Sequence, residues 1–193
     1  MPNPDDRRVK MTKKILKETL VSLMREKSIH ELSIKKVCEA AEINRSTFYH
    51  HYQSISELYD DIIKDILTDI NVIVKKNREL NVSNSTLIAE MLSYVERNRE
   101  LFLVILSDKG NIGIGEKLNR YVSSFIGADN NSELSMYCAQ FISAGLANII
   151  WRWLNTENRL SPKDMAGLIT TILTRGVRRA VMFSANREHL MTE

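Results

Sequence analysis

Proline and glycine are scarce in this chain, with 3 and 7 among 193 residues. Both interrupt helices and glycine makes the tight turns of hairpins, so their scarcity, beside plentiful Leu, Ile, Glu, Lys and Ala, excludes a hairpin-rich β fold and predicts an all-α protein of about nine helices. Cysteine is scarcer still. Cys38 and Cys138 lie far apart with no C-x-x-C spacing, which excludes a disulfide framework or a zinc knuckle and reads as two small core residues in a reducing compartment. No apolar run approaches the ~18 residues that span a bilayer, and the opening MPNPDDRRVKMTKK has no apolar signal core. No membrane partner is expected, and the location expected is cytoplasmic.

Catalytic and metal signatures are missing as well. His50 and His51 are adjacent and so point to different faces of a helix, while His30 and His189 are remote; ligands sharing one helix sit at i and i+4. There is no Glu-x-x-His pair and no nucleophile motif. NIGIGEK, residues 111–117, follows a helical segment and has the spacing of neither common phosphate loop. A helical-bundle enzyme is the least favoured reading, and no cofactor, metal or catalytic residue is expected.

What is present is 44% hydrophobic and 26% charged, the composition of a soluble globular protein able to bury a core. The net charge of +3 is unevenly spread. Residues 1–55 hold 11 Lys and Arg against 7 Asp and Glu, whereas 56–193 hold 16 against 17. Arg7, Arg8, Lys10, Lys13, Lys14 and Lys17 form an acid-free run, which suits a polyanion but is also the composition of a solvated helix face.

Apolar spacing outlines the helices. Ile15, Leu16, Leu20, Leu23 and Met24 predict a first helix over Met11–Lys27, broken by Ser28–Leu32. Ser33 is placed to cap a second, short helix whose buried stripe is Ile34, Val37, Cys38 and Ala41. After the turn Glu42-Ile43-Asn44, Asn44 is placed to cap a third helix, Arg45–His51, with Phe48 and Tyr52 inward. Ser54-x-x-Glu57 has the form of a capping box and opens a fourth helix running to about Lys76. Further helices are expected over Thr86–Arg97, Asn98–Leu106, Glu116–Ile126 and Glu133–Leu154, and a last one after Ser161-Pro162 to about Val181. The division expected is a head, 1–55, and a helical body, 56–193.

Two short helices joined by a tight turn and propped by a preceding helix make a helix-turn-helix, which lays its second helix in the DNA major groove. The nine residues NRSTFYHHY, 44–52, then have a purpose. With Phe48 and Tyr52 inward, Arg45, Ser46, Thr47, Tyr49 and His50 fall on the outer side, where they can meet base edges and phosphates.

At these residues the chain resembles the TetR family of one-component transcriptional regulators. The stretch SIKKVCEAAEINRSTFYHHYQSISELYDDI is similar to that family's signature, with a T-[FL]-Y-x-H-[FY] core, and the likeness covers residues 10–65. It implies nine helices, DNA recognition by the third, an effector pocket in helices four to eight and dimerisation through the last two. By position it makes Ser33, Tyr49 and His51 phosphate contacts and turns Arg45, Ser46 and Thr47 toward bases. Two positions depart from the family pattern. Glu42 stands where glycine is usual, so it either avoids positive φ or holds it under strain. Ile55 stands where a phosphate-binding lysine is usual, leaving the basic run at 7–17 to compensate.

In the body, Tyr94, Phe102, Tyr121, Tyr137, Phe141 and Trp151 fit core packing one by one. A small-molecule pocket drawing on Tyr94, Phe102, Tyr121, Tyr137, Gln140 and Phe141 would have the general apolar form with a few polar groups. The apolar stripe of the last helix, Leu168, Ile172, Leu173, Gly176, Val177 and Ala180, with Trp153 of the helix before it, is more than one chain needs and predicts a homodimer. The function expected is a ligand-responsive repressor that binds double-stranded DNA at a palindromic operator, its effector a small molecule or a partner protein. An activator of the same fold is the alternative, and Glu42 and Ile55 are the support for a third reading, an interaction module whose DNA-binding head has decayed.

Overall fold

A computed structural model describes residues 4–107 and 133–175. Eight α-helices and one 3-10 turn occur among the described residues, and no strand does. They are α1 (Pro4–Met24), α2 (Ile34–Ala41), α3 (Arg45–His51), α4 (Ile55–Glu79), α5 (Asn84–Arg97), α6 (Arg99–Ile105), α7 (Glu133–Asn155) and α8 (Pro162–Arg175). The all-α expectation holds. The helix expected over Glu116–Ile126, and the residues Tyr121, Gly176, Val177 and Ala180, lie outside the described residues. No described helix is long and apolar enough to cross a membrane.

α1 begins seven residues before the expected Met11 and ends at Met24 rather than Lys27. Its first turns carry Pro4, favoured at the first helical position, and Asp5 and Asp6, favoured at the positive end of the helix dipole, but no apolar stripe, so periodicity alone missed them. Ser83 starts α5 ahead of the expected Thr86, its hydroxyl accepting from Thr86 N at 3.2 Å.

The chain divides within α4 into two units, one reaching Asn71 and one starting at Val72. In the first, Leu16, Leu20 and Met24 of α1, Val37 and Cys38 of α2, Phe48, and Leu58, Tyr59, Ile62 and Ile63 of α4 are buried. The start of α4 thus helps to build the core of the head. Ser54 Oγ accepts from Glu57 N at 3.1 Å, and the Glu57 carboxylate reaches back to Gln53 N at 2.6 Å, one residue earlier than a capping box requires.

In the second unit α5 packs along α8, and an Arg159–Glu96 ion pair of 2.9 Å ties α5 to the turn that precedes α8. Asn77, buried near the end of α4, donates to Glu90 Oε2 at 2.8 Å. α4 closes on Asn81 in the left-handed region, φ 50°, with Val82 N donating to Asn77 O. Trp153, expected at a subunit interface, is instead only 3% exposed within its own chain. Its indole N–H donates to Leu160 O at 2.8 Å, and the Arg159 guanidinium lies 5.9 Å from its ring, so the turn after α7 folds back over it.

Candidate nucleic-acid interface

Two caps and a strained turn aim α3. Ser33, exposed at the start of α2, accepts from Lys36 N at 3.3 Å. At the other end Glu42 takes φ 53° and ψ 35°, the left-handed conformation that its Cβ disfavours. Ile43 N then donates to Cys38 O at 3.0 Å and Glu42 N to Glu39 O at 3.3 Å, the paired closure of a Schellman turn. Of the two options that the departure from glycine left open, Glu42 takes the strained one. Asn44 accepts from Ser46 N at 3.1 Å and caps α3, which begins at the next residue.

Phe48 is fully buried and Tyr52 nearly so, their ring centroids 6.0 Å apart. This fixes the facing of α3, because side chains one or two positions away point elsewhere. Arg45, Ser46, Tyr49 and His50 are exposed, Tyr49 by 58%, while Thr47 and His51 are half-buried. Arg8, Val9 and Thr12 of α1 join Ser46, Thr47, His50 and His51 of α3 around an open groove of about 550 Å³. The early start of α1, which the sequence pattern did not show, supplies one wall of this groove. Burial, then the neighbouring His50 and Lys13, hold the His51 imidazole below its ordinary value.

The basic run of α1 does not act as one patch. Arg7, Arg8 and Lys10 are exposed. Lys14 pairs with Glu18 at 3.8 Å, and Lys13 and Lys17 turn toward α4, with Lys17 2.9 Å from Asp61 Oδ2 and 2.5 Å from Asp65 Oδ2. Tyr52 donates to the same Asp61 oxygen at 2.8 Å, and burial with that bond pushes its phenol far above its usual range. Sequence reasoning missed this network, whose one signal was two oppositely charged pairs at i,i+4 spacing, Lys13 with Lys17 and Asp61 with Asp65. Ile55, the second departure from the family pattern, is half-buried in the first turn of α4.

The residues considered for a ligand pocket are not alike in the structure. Tyr94 and Phe102 meet edge to face at 5.9 Å, with Phe102 buried. Tyr137, Gln140 and Phe141 lie exposed on α7, Phe141 by 73%. Their i, i+3, i+4 spacing puts these three on one side of α7, while Ala139, Ser143 and Leu154 are buried. Among the described residues, Tyr137, Gln140 and Phe141 therefore lie on a surface rather than around an enclosed cavity.

Solved structures share this fold. A TetR transcriptional regulator from Streptococcus agalactiae 2603V aligns with 89% of this chain and 98% of its own, at 20% identity and a TM-score of 0.64. A transcriptional regulator of the TerR/AcrR family from Aquifex aeolicus VF5 aligns with 84% of this chain and 99% of its own, at 22% identity and a TM-score of 0.61. The dihydroxyacetone kinase operon activator DhaS aligns with 86% of this chain and 96% of its own, at 18% identity and a TM-score of 0.50. Among curated proteins, the uncharacterized HTH-type transcriptional regulator YxbF of Bacillus subtilis (strain 168) is 24% identical over 98 residues, 48% of this chain, and the match spans about a quarter (26%) of that relative's length. Two family models match in tandem, bacterial regulatory proteins of the tetR family over residues 16–62 and a transcriptional regulator C-terminal region over 83–175. With both halves of its described structure matched, the chain belongs to the TetR family of bacterial regulatory proteins.

Proposed function

We propose that this protein is a dimeric transcriptional regulator that reads a palindromic operator through α3 and acts by binding rather than by catalysis, in the cytoplasm beside the chromosome. The observation that carries this reading is the facing of α3, which buries Phe48 and Tyr52 and leaves Arg45, Ser46, Tyr49 and His50 exposed beside the groove it shares with α1. Arg45 has the geometry to pair with a guanine edge, Ser46 and Thr47 to bond bases or phosphates, and Ser33, Tyr49 and His51 to hold the backbone. The head of this reading is residues 1–55, its core completed by Leu58, Tyr59, Ile62 and Ile63 at the start of α4, and the body that senses and dimerises is drawn from 56–193.

Dimerisation is supported by apolar surface that a single chain leaves open, Phe141 and Trp151 of α7 and Leu173 of α8, with Leu168 and Ile172 half-buried beside it. A twofold copy would remove that area from water at ~25 cal/mol per Å². It would also set two copies of α3 about one DNA turn, ~34–36 Å, apart. An effector, a small molecule or a partner protein, would act by favouring the conformer whose reading helices are wrongly spaced, which lowers DNA affinity by population shift. Repression is the regulatory sign proposed. Activation is the second reading, favoured by the likeness to the operon activator DhaS.

Selection of bound duplexes from a random pool tests the reading directly. Enrichment of a palindrome with half-sites one turn apart is expected, and a pool that stays random after repeated rounds would overturn it.

A further inference from the structure

Lys13 and Lys17 of α1, one helical turn apart, face Asp61 and Asp65 of α4, also one turn apart, and the four charges cancel. The two lysines are not held alike. Lys17 contacts both carboxylates within 2.9 Å and its side chain is 17% exposed, whereas Lys13 stands 3.7 Å from Asp61 Oδ2 and is 38% exposed. The Lys13 ammonium also lies 5.1 Å from the centroid of the Tyr52 ring, at the end of the reading helix, and is near enough to His51 for its charge to act on that imidazole. His51 lines the groove with Arg8. Lys13 therefore stands beside the surface that DNA would occupy, and Asp61 is what holds it back. Burial opposes ionisation of Asp61, but hydrogen bonds from Lys17 and Tyr52 and the charges of Lys17 and Lys13 outweigh it and keep the carboxyl below its ordinary value.

We propose that Asp61 is a positioning residue that tunes the DNA affinity of the head, neutralising Lys13 in place so that Lys13 contributes no phosphate contact while Asp61 is charged. The inference rests on the DNA-binding reading above. Its physical basis is a competition. At 3.7 Å the ion pair alone is weak, but the Tyr52 ring holds the same ammonium at 5.1 Å and a phosphate drawn to Lys13 would also meet the Asp61 charge. The contact therefore forms only once that charge is removed, and the counterion then released steepens the dependence of log K on log salt by ~0.9.

The test is the salt dependence of binding to a random-sequence duplex, measured by fluorescence anisotropy for the full chain and four variants. Arg8→Gln should flatten the slope by ~0.9 and Lys13→Gln should leave it unchanged. Asp61→Asn, whose amide oxygen still accepts from Tyr52, should steepen the slope by ~0.9 and tighten binding about eightfold at ~0.1 M salt. Adding Lys13→Gln to Asp61→Asn should restore the wild-type slope, an outcome that a merely structural role for Asp61 would not produce. A slope unmoved by Asp61→Asn, or steepening that survives in the double variant, overturns the proposal. Should Asp61→Asn lose helicity, Lys13→Gln alone decides, because a flattening equal to that of Arg8→Gln overturns it and no flattening supports it. Failure of this inference alone shows as a response to Arg8→Gln without one to Asp61→Asn, whereas a wild-type chain with no salt-dependent binding sinks the DNA reading with it.

Discussion

Replacing Glu42 by glycine removes a Cβ from a left-handed residue without disturbing the two hydrogen bonds that close α2, since both use backbone atoms. An L residue costs ~1–2 kcal/mol in that region. Glycine visits it freely but loses ~0.5–1 kcal/mol more conformational entropy on folding. The difference leaves about 0.5–1 kcal/mol in favour of glycine, which raises the melting temperature by ~1–4 °C for a chain of this size. Glu42→Ala is the control, because it deletes the same exposed carboxylate yet keeps the Cβ, and an exposed substitution of that kind stays within about 0.5 kcal/mol. Thermal melts of the three proteins by far-ultraviolet circular dichroism give the answer. An alanine variant that melts with or above the glycine variant would refute the reasoning, since the gain would then come from the lost charge and not from backbone strain.

Phe48→Ala should melt the head, a truncation of a buried aromatic costing ~3–5 kcal/mol, while Thr47→Ala and Tyr49→Ala should leave the melting curve nearly unmoved and weaken operator binding. Calorimetry beside a gel-shift titration checks this, and the reverse pattern would mean that α3 is turned differently. His51, held below its ordinary 6.5, is taken to gain a proton when it meets phosphate, so operator affinity should rise from about pH 8 to about pH 6 and His51→Gln should flatten the rise. In the free protein the same depression means that the unfolded chain binds the proton first, so stability falls as pH drops below ~6.5; a stability that rises there refutes the assignment. Leu173→Glu, at a side chain partly exposed in the single chain, should convert dimers to monomers in sedimentation at micromolar concentration. A wild-type monomer, or a variant that stays dimeric, would place the interface elsewhere.

α2 and α3 were legible because their information is local. Ser33 and Asn44 mark the starts, Phe48 and Tyr52 share one side, and the structure returns the expected bounds of α3. The charge network was not legible, since Lys17 and Asp65 are 48 positions apart and only the packing of α1 on α4 brings them together. The basic run looked like one surface until that packing split it. Glu42 lay between the two cases, for the family likeness exposed the conflict at this position but the backbone alone decides how it is resolved. Trp153 misled because an apolar residue near the end of an apolar helix reads as surplus surface, and nothing local shows that Leu160 will supply its indole with an acceptor.

The seven residues of α3 are too few to hold a helix unaided, since isolated helices need ~12–15, and one fully buried ring, Phe48, with Tyr52 just beyond the last turn, anchors the segment. If α3 reads DNA as proposed, stability and sequence preference are written in different letters of the same short word. Arg45, Ser46, Tyr49 and His50 are exposed, so on the DNA-binding reading proposed above substitutions there would reach the operator before they reach the fold. On that reading a lineage carrying this head would drift to a new operator in single steps without passing through an unfolded intermediate, and a library confined to those four positions should return folded proteins of altered preference in most of its members.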